Sequence, residues 1–201
     1  MAILTLIRHG QSIYNLENLF TGNVDVALTP LGKEEAKQAG IKLKNFEYNI
    51  AYTSVLKRAE ESLRIILEVI HQTTIPIIAD KALNERRYGS LQGQNKDEVS
   101  KKYSSKQVEI WRRSYDTRPP DGESLADTYD RVVPYFRKEI EPKLRTGQNV
   151  LIVAHGNSLR ALVMYLEGIS KTEIVNFEIP TGLPRHYIFD ANLNLKSVKY
   201  L

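Results

Sequence analysis

No cysteine occurs anywhere in the 201 residues, so a disulfide framework, thiolate metal sites and every enzyme built on a cysteine nucleophile are excluded. No apolar run approaches the roughly 20 residues needed to cross a bilayer. The opening "MAILTLIRHG" also lacks the basic start and small-residue cleavage site of a signal peptide, so a cytoplasmic protein with no membrane partner is expected. The Walker glycine-lysine loop, the Gly-x-Ser-x-Gly elbow and any Asp-x-Asp pair are missing as well. Lys and Arg exceed Asp and Glu by only a net +4, and no basic run interleaves with aromatics, so no nucleic-acid surface is expected.

What is present is an alternation of strand and helix patterns. The length fits one domain over residues 1–201, large enough to bury a core without staples. An apolar strand over Ile3 to Ile7 comes first. Thr29 then reads as an N-cap with Pro30 at the first helical position. "NIAYTS" is a short strand, and Leu56, Ala59, Leu63, Ile66, Leu67 and Ile70 recur at steps of three and four on one helical face. "IPIIAD" is a third strand. The polar, glycine-punctuated stretch from Asn84 to Glu123 reads as a long, partly helical excursion that carries function. Ser124 and Asp127 form a capping box for a long helix running to Leu144, which Pro134 is expected to bend. "NVLIVAHGNSLRALVMYLEG" repeats the opening grammar of strand, histidine, glycine and helix, and two short strands around Tyr187 to Phe189 and Ser197 to Tyr200 close the chain. Alternating strands and helices imply an α/β fold with a mainly parallel sheet covered on both faces.

In such sheets ligands bind beyond the carboxyl ends of the strands, and "LIRHG" and "VAHG" each deliver a histidine there, His9 and His155. The pair is too far apart in sequence for a zinc motif, and His71 and His186 sit in ordinary surroundings, so no metal is expected. Neutral imidazole is a good nucleophile near pH 7, and its attack on a phosphoryl group gives a phosphohistidine labile enough to pass the group on. Such transfer needs alignment and positive charge around the equatorial oxygens. Arg8 supplies one cation; Arg58, at the start of the helix after the second strand, reads equally as a second clamp or as a surface arginine. Asn15 and the backbone N–H groups of Gly10 and Gly156 complete the expected cradle.

The motifs "RHGQSIYNLENLFTG", "AYTSVLKRA", "LNERRYGSLQGQNKDE", "WRR", "AHGNSLRALV" and "IPTGLP" run nearly end to end in the order found in the histidine phosphatase superfamily. RHG alone marks the superfamily; the NER-YG-LQG-NK set with the double arginine resembles the cofactor-dependent phosphoglycerate mutases. The resemblance implies a three-layer αβα sandwich and interconversion of 3-phosphoglycerate and 2-phosphoglycerate, in glycolysis and gluconeogenesis, primed by 2,3-bisphosphoglycerate and without metal. It implies that His9 is the phosphorylated nucleophile, that His155 steadies the transferring group, and that Arg8 and Arg58 clamp it. Glu85, which by itself reads as a solvated loop charge, takes the place of the general acid and base, a role suited to a carboxyl with a pKa raised by burial. Tyr88, Lys96, Arg112 and Arg113 match the residues that hold the substrate's far end. Ser12, Asn15, Thr21, Gly22 and Asn157 match further substrate contacts. Against longer family members the chain is shorter between the double arginine and Ser124 and stops at Leu201 without a Lys- and Ala-rich tail. A more open site favours hydrolysis, so a phosphatase or bisphosphatase of small phosphorylated metabolites is the alternative. Arg87 and "RHY" from Arg185 to Tyr187 also depart from the pattern. Nothing in the sequence identifies an interface, which leaves monomer and homo-oligomer open, a homodimer among them.

Overall fold

Period-two alternation sorts the central strands between two cores. In the computed structural model, which describes residues 1–201, Leu4 and Leu6 of β1 (Ala2–Arg8) face one apolar cluster and Ile7 faces the other. Short helix α1 (Ile13–Leu16) follows, then α2 (Pro30–Leu43), β2 (Ile50–Thr53), α3 (Lys57–Val69) and β3 (Ile77–Ala79). The excursion contributes α4 (Lys96–Tyr103) and α5 (Ser105–Arg113). Next come α6 (Leu125–Tyr135), a π-helical turn (Phe136–Ile140), α7 (Glu141–Arg145), β4 (Val150–Ala154) and α8 (Gly156–Glu167). Helix α9 (Lys171–Ile174) and the strands β5 (Arg185–Phe189) and β6 (Leu195–Tyr200) complete the chain.

The strands form one sheet in the order β3-β2-β4-β1-β5-β6. The first four strands are parallel, β5 runs antiparallel to β1 and β6 antiparallel to β5, so the sheet is mixed but mainly parallel at its centre. Helices α2 and α3 pack on one face, around a cluster that includes Ala39, Leu43, Leu63 and Ile66. Helices α6 to α8 cover the other through Val132, Phe136, Leu144, Leu159 and Leu162. The expected three-layer αβα sandwich is the fold observed. A third, small cluster of Phe20, Leu91, Val99, Val108 and Trp111 gives the excursion its own core.

Local signals mark most boundaries. The Thr29 side chain accepts from Gly32 N at α2, the Ser124 and Asp127 box is formed at α6, and Gly168 ends α8 in the left-handed conformation at φ +66°. The expected bend after Pro134 takes the form of the π-helical turn, closed by the Glu141 N–H donating to the Phe136 carbonyl. Neither Pro134 before it nor Pro142 after it has an N–H to donate, so the regular ladder is interrupted on both sides. Gly10 and Gly32 let the loop after β1 lie directly on the start of α2: a Cβ on Gly10 would come within 2.0 Å of the Gly32 carbonyl oxygen.

The departures in "RHY" are structural. Arg185 pairs with Glu167 at 2.5 Å, and the Tyr187 hydroxyl donates to the same carboxylate at 2.6 Å, which ties the end of α8 to β5. His186 is buried against Phe46 and lies 3.0 Å from the Thr5 hydroxyl, itself 2.8 Å from Tyr48 Oη. Arg87 reaches Glu123 at 3.4 Å on the surface.

Candidate active site

Strands β1, β2 and β4 are parallel neighbours, so their carboxyl ends come together and bring His9, Ser54 and His155 to one edge. His9 is buried. Its Nδ1 lies 2.6 Å from the Gly10 carbonyl. A carbonyl can only accept, so Nδ1 carries the ring proton and Nε2 keeps its lone pair. Arg58 Nε donates to that Nε2 from 3.2 Å, in agreement with this tautomer. Burial, with Arg58 and Arg8 adding to it, holds the His9 pKa well below the usual histidine value, so the ring is neutral at pH 7.

Arg58 is no surface arginine: it is fully buried. Its two terminal nitrogens donate to the carbonyls of Val24 and Gly22, both at 2.8 Å, which leaves Nε for His9. Burial pulls its pKa down to about 10, still charged at neutral pH. Arg8 NH1 donates to the Ile179 carbonyl at 3.1 Å, while its Nε is buried without a partner.

His155 is also fully buried, and its ring centroid stands 4.9 Å from that of His9. Its Nε2 is 2.7 Å from Ser54 Oγ. That hydroxyl accepts from Leu56 N at 3.2 Å, which frees its own proton for Nε2. The ring proton then sits on Nδ1, a buried nitrogen with no partner in the chain. Burial, then Arg58, lowers the pKa of this imidazole well below the usual value too.

Glu85 is placed by contacts remote in sequence. Arg131 of α6 donates to the carbonyls of Ala82 at 2.7 Å and Asn84 at 3.2 Å and so fixes the loop before it. Glu85 Oε1 accepts from Arg86 N at 2.7 Å and from Asn157 N, in the first turn of α8, at 3.1 Å. Glu85 Oε2 and the Arg8 guanidinium flank Gly156, where a Cβ would sit 3.6 and 3.7 Å from them.

Arg8, His9, Arg58, Glu85 and Gly156 line one cleft, along with Asn15, Thr21, Gly22 and Asn157. Tyr88, Lys96, Arg112 and Arg113 line its other part, carried by the excursion. Burial would raise the Tyr88 phenol, but Arg86, 2.8 Å from its oxygen, and Arg112 outweigh it and lower the pKa. Burial followed by Arg112 lowers that of Lys96. Three expected site residues do not line the cleft: Gly10, Ser12 and His155, the last fully buried with its ring against that of His9. The Gly10 N–H donates to Ser62 Oγ at 3.1 Å, and Ser12 caps α1, its hydroxyl donating to Asn15 Oδ1 at 2.9 Å. Four residues absent from the expected site set do line it: the apolar Leu19 and Phe20, and two charged ones, Arg160, buried in α8, and Glu178. Arg160 had one visible signal, an arginine inside the apolar run Leu159 to Val163; Glu178 had none. The cleft thus gathers six cationic side chains against two carboxylates, a setting for a multiply charged anion.

The model of the histidine phosphatase superfamily (branch 1) matches residues 4–191. A 2,3-bisphosphoglycerate-dependent phosphoglycerate mutase of Cytophaga hutchinsonii is 57% identical over 203 residues, covering 100% of this chain and 94% of its own. The enzyme of the same name from Nitrobacter hamburgensis is 55% identical, covering 97% and 95%. Among solved structures, YhfR of Bacillus stearothermophilus superposes with a TM-score of 0.85 at 24% identity, covering 100% of this chain and 96% of that one. Phosphoglycerate mutase from Bacillus anthracis superposes at 0.79 and 23% identity, covering 100% and 92%. The paired histidines at adjoining strand ends and the end-to-end matches agree: the chain belongs to the histidine phosphatase superfamily and, within it, to the family of the 2,3-bisphosphoglycerate-dependent phosphoglycerate mutases.

Proposed function

We propose that this protein interconverts 3-phosphoglycerate and 2-phosphoglycerate by way of a phosphohistidine on His9 Nε2, as a cytoplasmic enzyme of glycolysis and gluconeogenesis. The observation that carries the reading is the His9 tautomer: Nδ1 is tied to the Gly10 carbonyl and the lone pair of a neutral, buried ring stands at Nε2 beside Arg58. The names of the relatives supply the substrate class.

In the first half-reaction His9 Nε2 receives the phosphoryl group, an N–P bond forms and the P–O bond to the leaving oxygen breaks. Glu85 delivers a proton to that oxygen through Oε2, which makes no hydrogen bond within the chain, while Oε1 is held by two backbone N–H groups. In the return step Glu85 takes the proton from the attacking hydroxyl, whose oxygen forms a new P–O bond as the N–P bond to His9 breaks. Arg8, Arg58 and the Nδ1–H of His155 stabilise the equatorial oxygens; the unpartnered Arg8 Nε and His155 Nδ1 are the donors with capacity to spare. Tyr88, Lys96, Arg112 and Arg113 hold the carboxylate and the phosphate that is not moving. A cleft with cations at both ends suits 2,3-bisphosphoglycerate, which when bound supplies the phosphoryl group that primes His9.

The test is phosphorus NMR of the protein with 3-phosphoglycerate, a chelator, and catalytic 2,3-bisphosphoglycerate. Formation of 2-phosphoglycerate, stimulated by the bisphosphate and abolished in a folded His9→Ala variant, supports the reading. Isomerisation by His9→Ala sinks it, and release of inorganic phosphate without isomerisation replaces it with a phosphatase.

A further inference from the structure

The segment from Phe177 to Thr181 borders the cleft as a strap, with Glu178 in its lining. The Phe177 carbonyl accepts from Arg160 Nε at 2.7 Å, and the Ile179 carbonyl accepts from Arg8 NH1 at 3.1 Å. The Glu178 carbonyl between them accepts from Tyr200 Oη at 3.4 Å, and Gly182 N donates to the Arg8 carbonyl at 3.0 Å. The backbone of the strap is therefore fixed, and the Glu178 side chain projects from it, 61% exposed. One of its oxygens is ion-paired with Arg113 of α5, and the other lies 3.8 Å from Arg160 NH2. Glu178 is thus a carboxylate lodged among the cations of the cleft.

We propose that Glu178 is a specificity-determining residue: a built-in carboxylate that competes with the ligand for Arg113 and Arg160 and weakens bisphosphorylated glycerates more than monophosphorylated ones. The inference rests on the reading of the cleft as a phosphoglycerate site. Arg113 belongs to the set assigned to the end of the substrate that is not reacting, so a ligand phosphate or carboxylate reaching it meets Glu178 first. A solvent-exposed ion pair is weak, so the carboxylate yields to a ligand that offers more charge and a bidentate grip. Having yielded, it stays close to the bound anion, and its repulsion grows with the ligand's charge. A second phosphate is therefore penalised more than a first. In a reaction whose intermediate is a bisphosphate that must turn around in the cleft, a residue that loosens the bisphosphate selectively prevents it from becoming a trap. Glu85, the other carboxylate in the cleft, cannot play this part, because both of its neighbours at Oε1 are donors that hold it at the transfer end.

The experiment is isothermal titration of wild type and Glu178→Gln with 2,3-bisphosphoglycerate, 3-phosphoglycerate and inorganic phosphate, at low salt and again at about 0.5 M salt, where exposed charges are screened within a few ångströms. Glutamine keeps the shape and an acceptor for Arg113, and at an exposed position it leaves the fold intact. The expected result is a Kd for the bisphosphate about tenfold lower and one for 3-phosphoglycerate about threefold lower, from the size of exposed charge interactions. Inorganic phosphate, which needs only the transfer end, changes by less than about twofold. The gain shrinks at high salt and shrinks again when Arg113→Ala is added, since competition for Arg160 and direct repulsion of the anion remain. In steady state the KM for 3-phosphoglycerate falls. A residue that merely positioned Arg113 would give the opposite: weaker binding of both glycerates in Glu178→Gln overturns the inference, as does an unchanged ratio between them. Because the titrations do not depend on turnover, wild type that isomerises but shows no change in Glu178→Gln refutes this inference alone. Wild type that neither binds the glycerates nor isomerises them refutes the functional reading first.

Discussion

Replacing Arg58 with lysine preserves the charge next to His9 and removes only the shape that delivers it. The guanidinium serves three acceptors at once, His9 Nε2 at 3.2 Å and the carbonyls of Val24 and Gly22 at 2.8 Å each. A shorter ammonium at one point cannot reach all three, so at least one buried carbonyl loses its donor, at a cost of about 1–3 kcal/mol of stability. Burial already draws the arginine down to about 10; lysine is the weaker base to begin with, so the same burial pulls the ammonium further toward neutral pH. The donor aimed at the reacting nitrogen and its phosphoryl group is lost as well, and removal of one such donor costs about 10²–10³ in kcat. Arg58→Lys is therefore expected to fold with a modestly lower denaturation midpoint and to lose about two to three orders of magnitude in kcat at pH 7. Its activity should also fall at a lower pH on the alkaline side than that of wild type, because a buried ammonium loses its proton before a buried guanidinium does. Steady-state kinetics from pH 6 to 9.5, beside urea denaturation, checks each part. A variant within fivefold of wild type and with an unchanged alkaline limb would refute the assignment of Arg58 as the fixed donor at His9.

Three more perturbations follow from the same geometry. His9 and His155 have folded pKa values below the ordinary 6.5, so protons favour the unfolded chain: their contribution is complete above about pH 6.5 and is lost as pH falls toward the lowered values. The two together make stability fall with a slope that steepens from about 1.4 kcal/mol per pH unit at 6.5 toward a limit of about 2.7 at lower pH, and urea titrations between pH 7.5 and 5.5 showing no such slope would contradict the burial of two neutral imidazoles. Ser54→Ala removes the hydroxyl that sets the His155 tautomer; kcat is expected to fall about ten- to a hundredfold with KM little changed, and a parallel rise in KM would point instead to a general loosening of the cleft. Trp111, the single tryptophan, sits in the five-residue core of the excursion next to Arg112 and Arg113. Trp111→Ala should cost about 3–5 kcal/mol within that small core and raise KM more than it lowers the rate of His9 phosphorylation, read by rapid-quench labelling; equal losses in both would mean the excursion also shapes the transfer end.

The sequence by itself determined whatever depends on short-range regularity. The apolar runs of β1 and β4, the three-and-four spacing of α3, and the caps at Thr29, Ser124 and Gly168 are consequences of neighbouring residues, and each stands where its pattern places it. The rule that ligands gather at the carboxyl ends of parallel strands then sufficed to bring His9 and His155 together, because their two strands are neighbours in the sheet.

Only the tertiary structure decided how the side chains around that pair are used. Arg58 reads in sequence as a helix arginine of either kind; it is a buried donor because the loop from Gly22 to Val24 folds over it and offers two carbonyls. Gly10, expected to donate its N–H to the cradle, spends it on Ser62 and is needed instead for its close approach to Gly32. Glu85 acquires its place from Arg131 and from the first turn of α8, more than forty and seventy residues away. Ser54 and Glu178 carry no signal of their own, since one acts by fixing the proton of His155 and the other by standing opposite Arg113. A local pattern specifies the direction and periodicity of the backbone; hydrogen-bond partners, desolvation and the charge felt at a given atom are set by groups distant in sequence, and these are what turn a strand-end histidine into a neutral nucleophile.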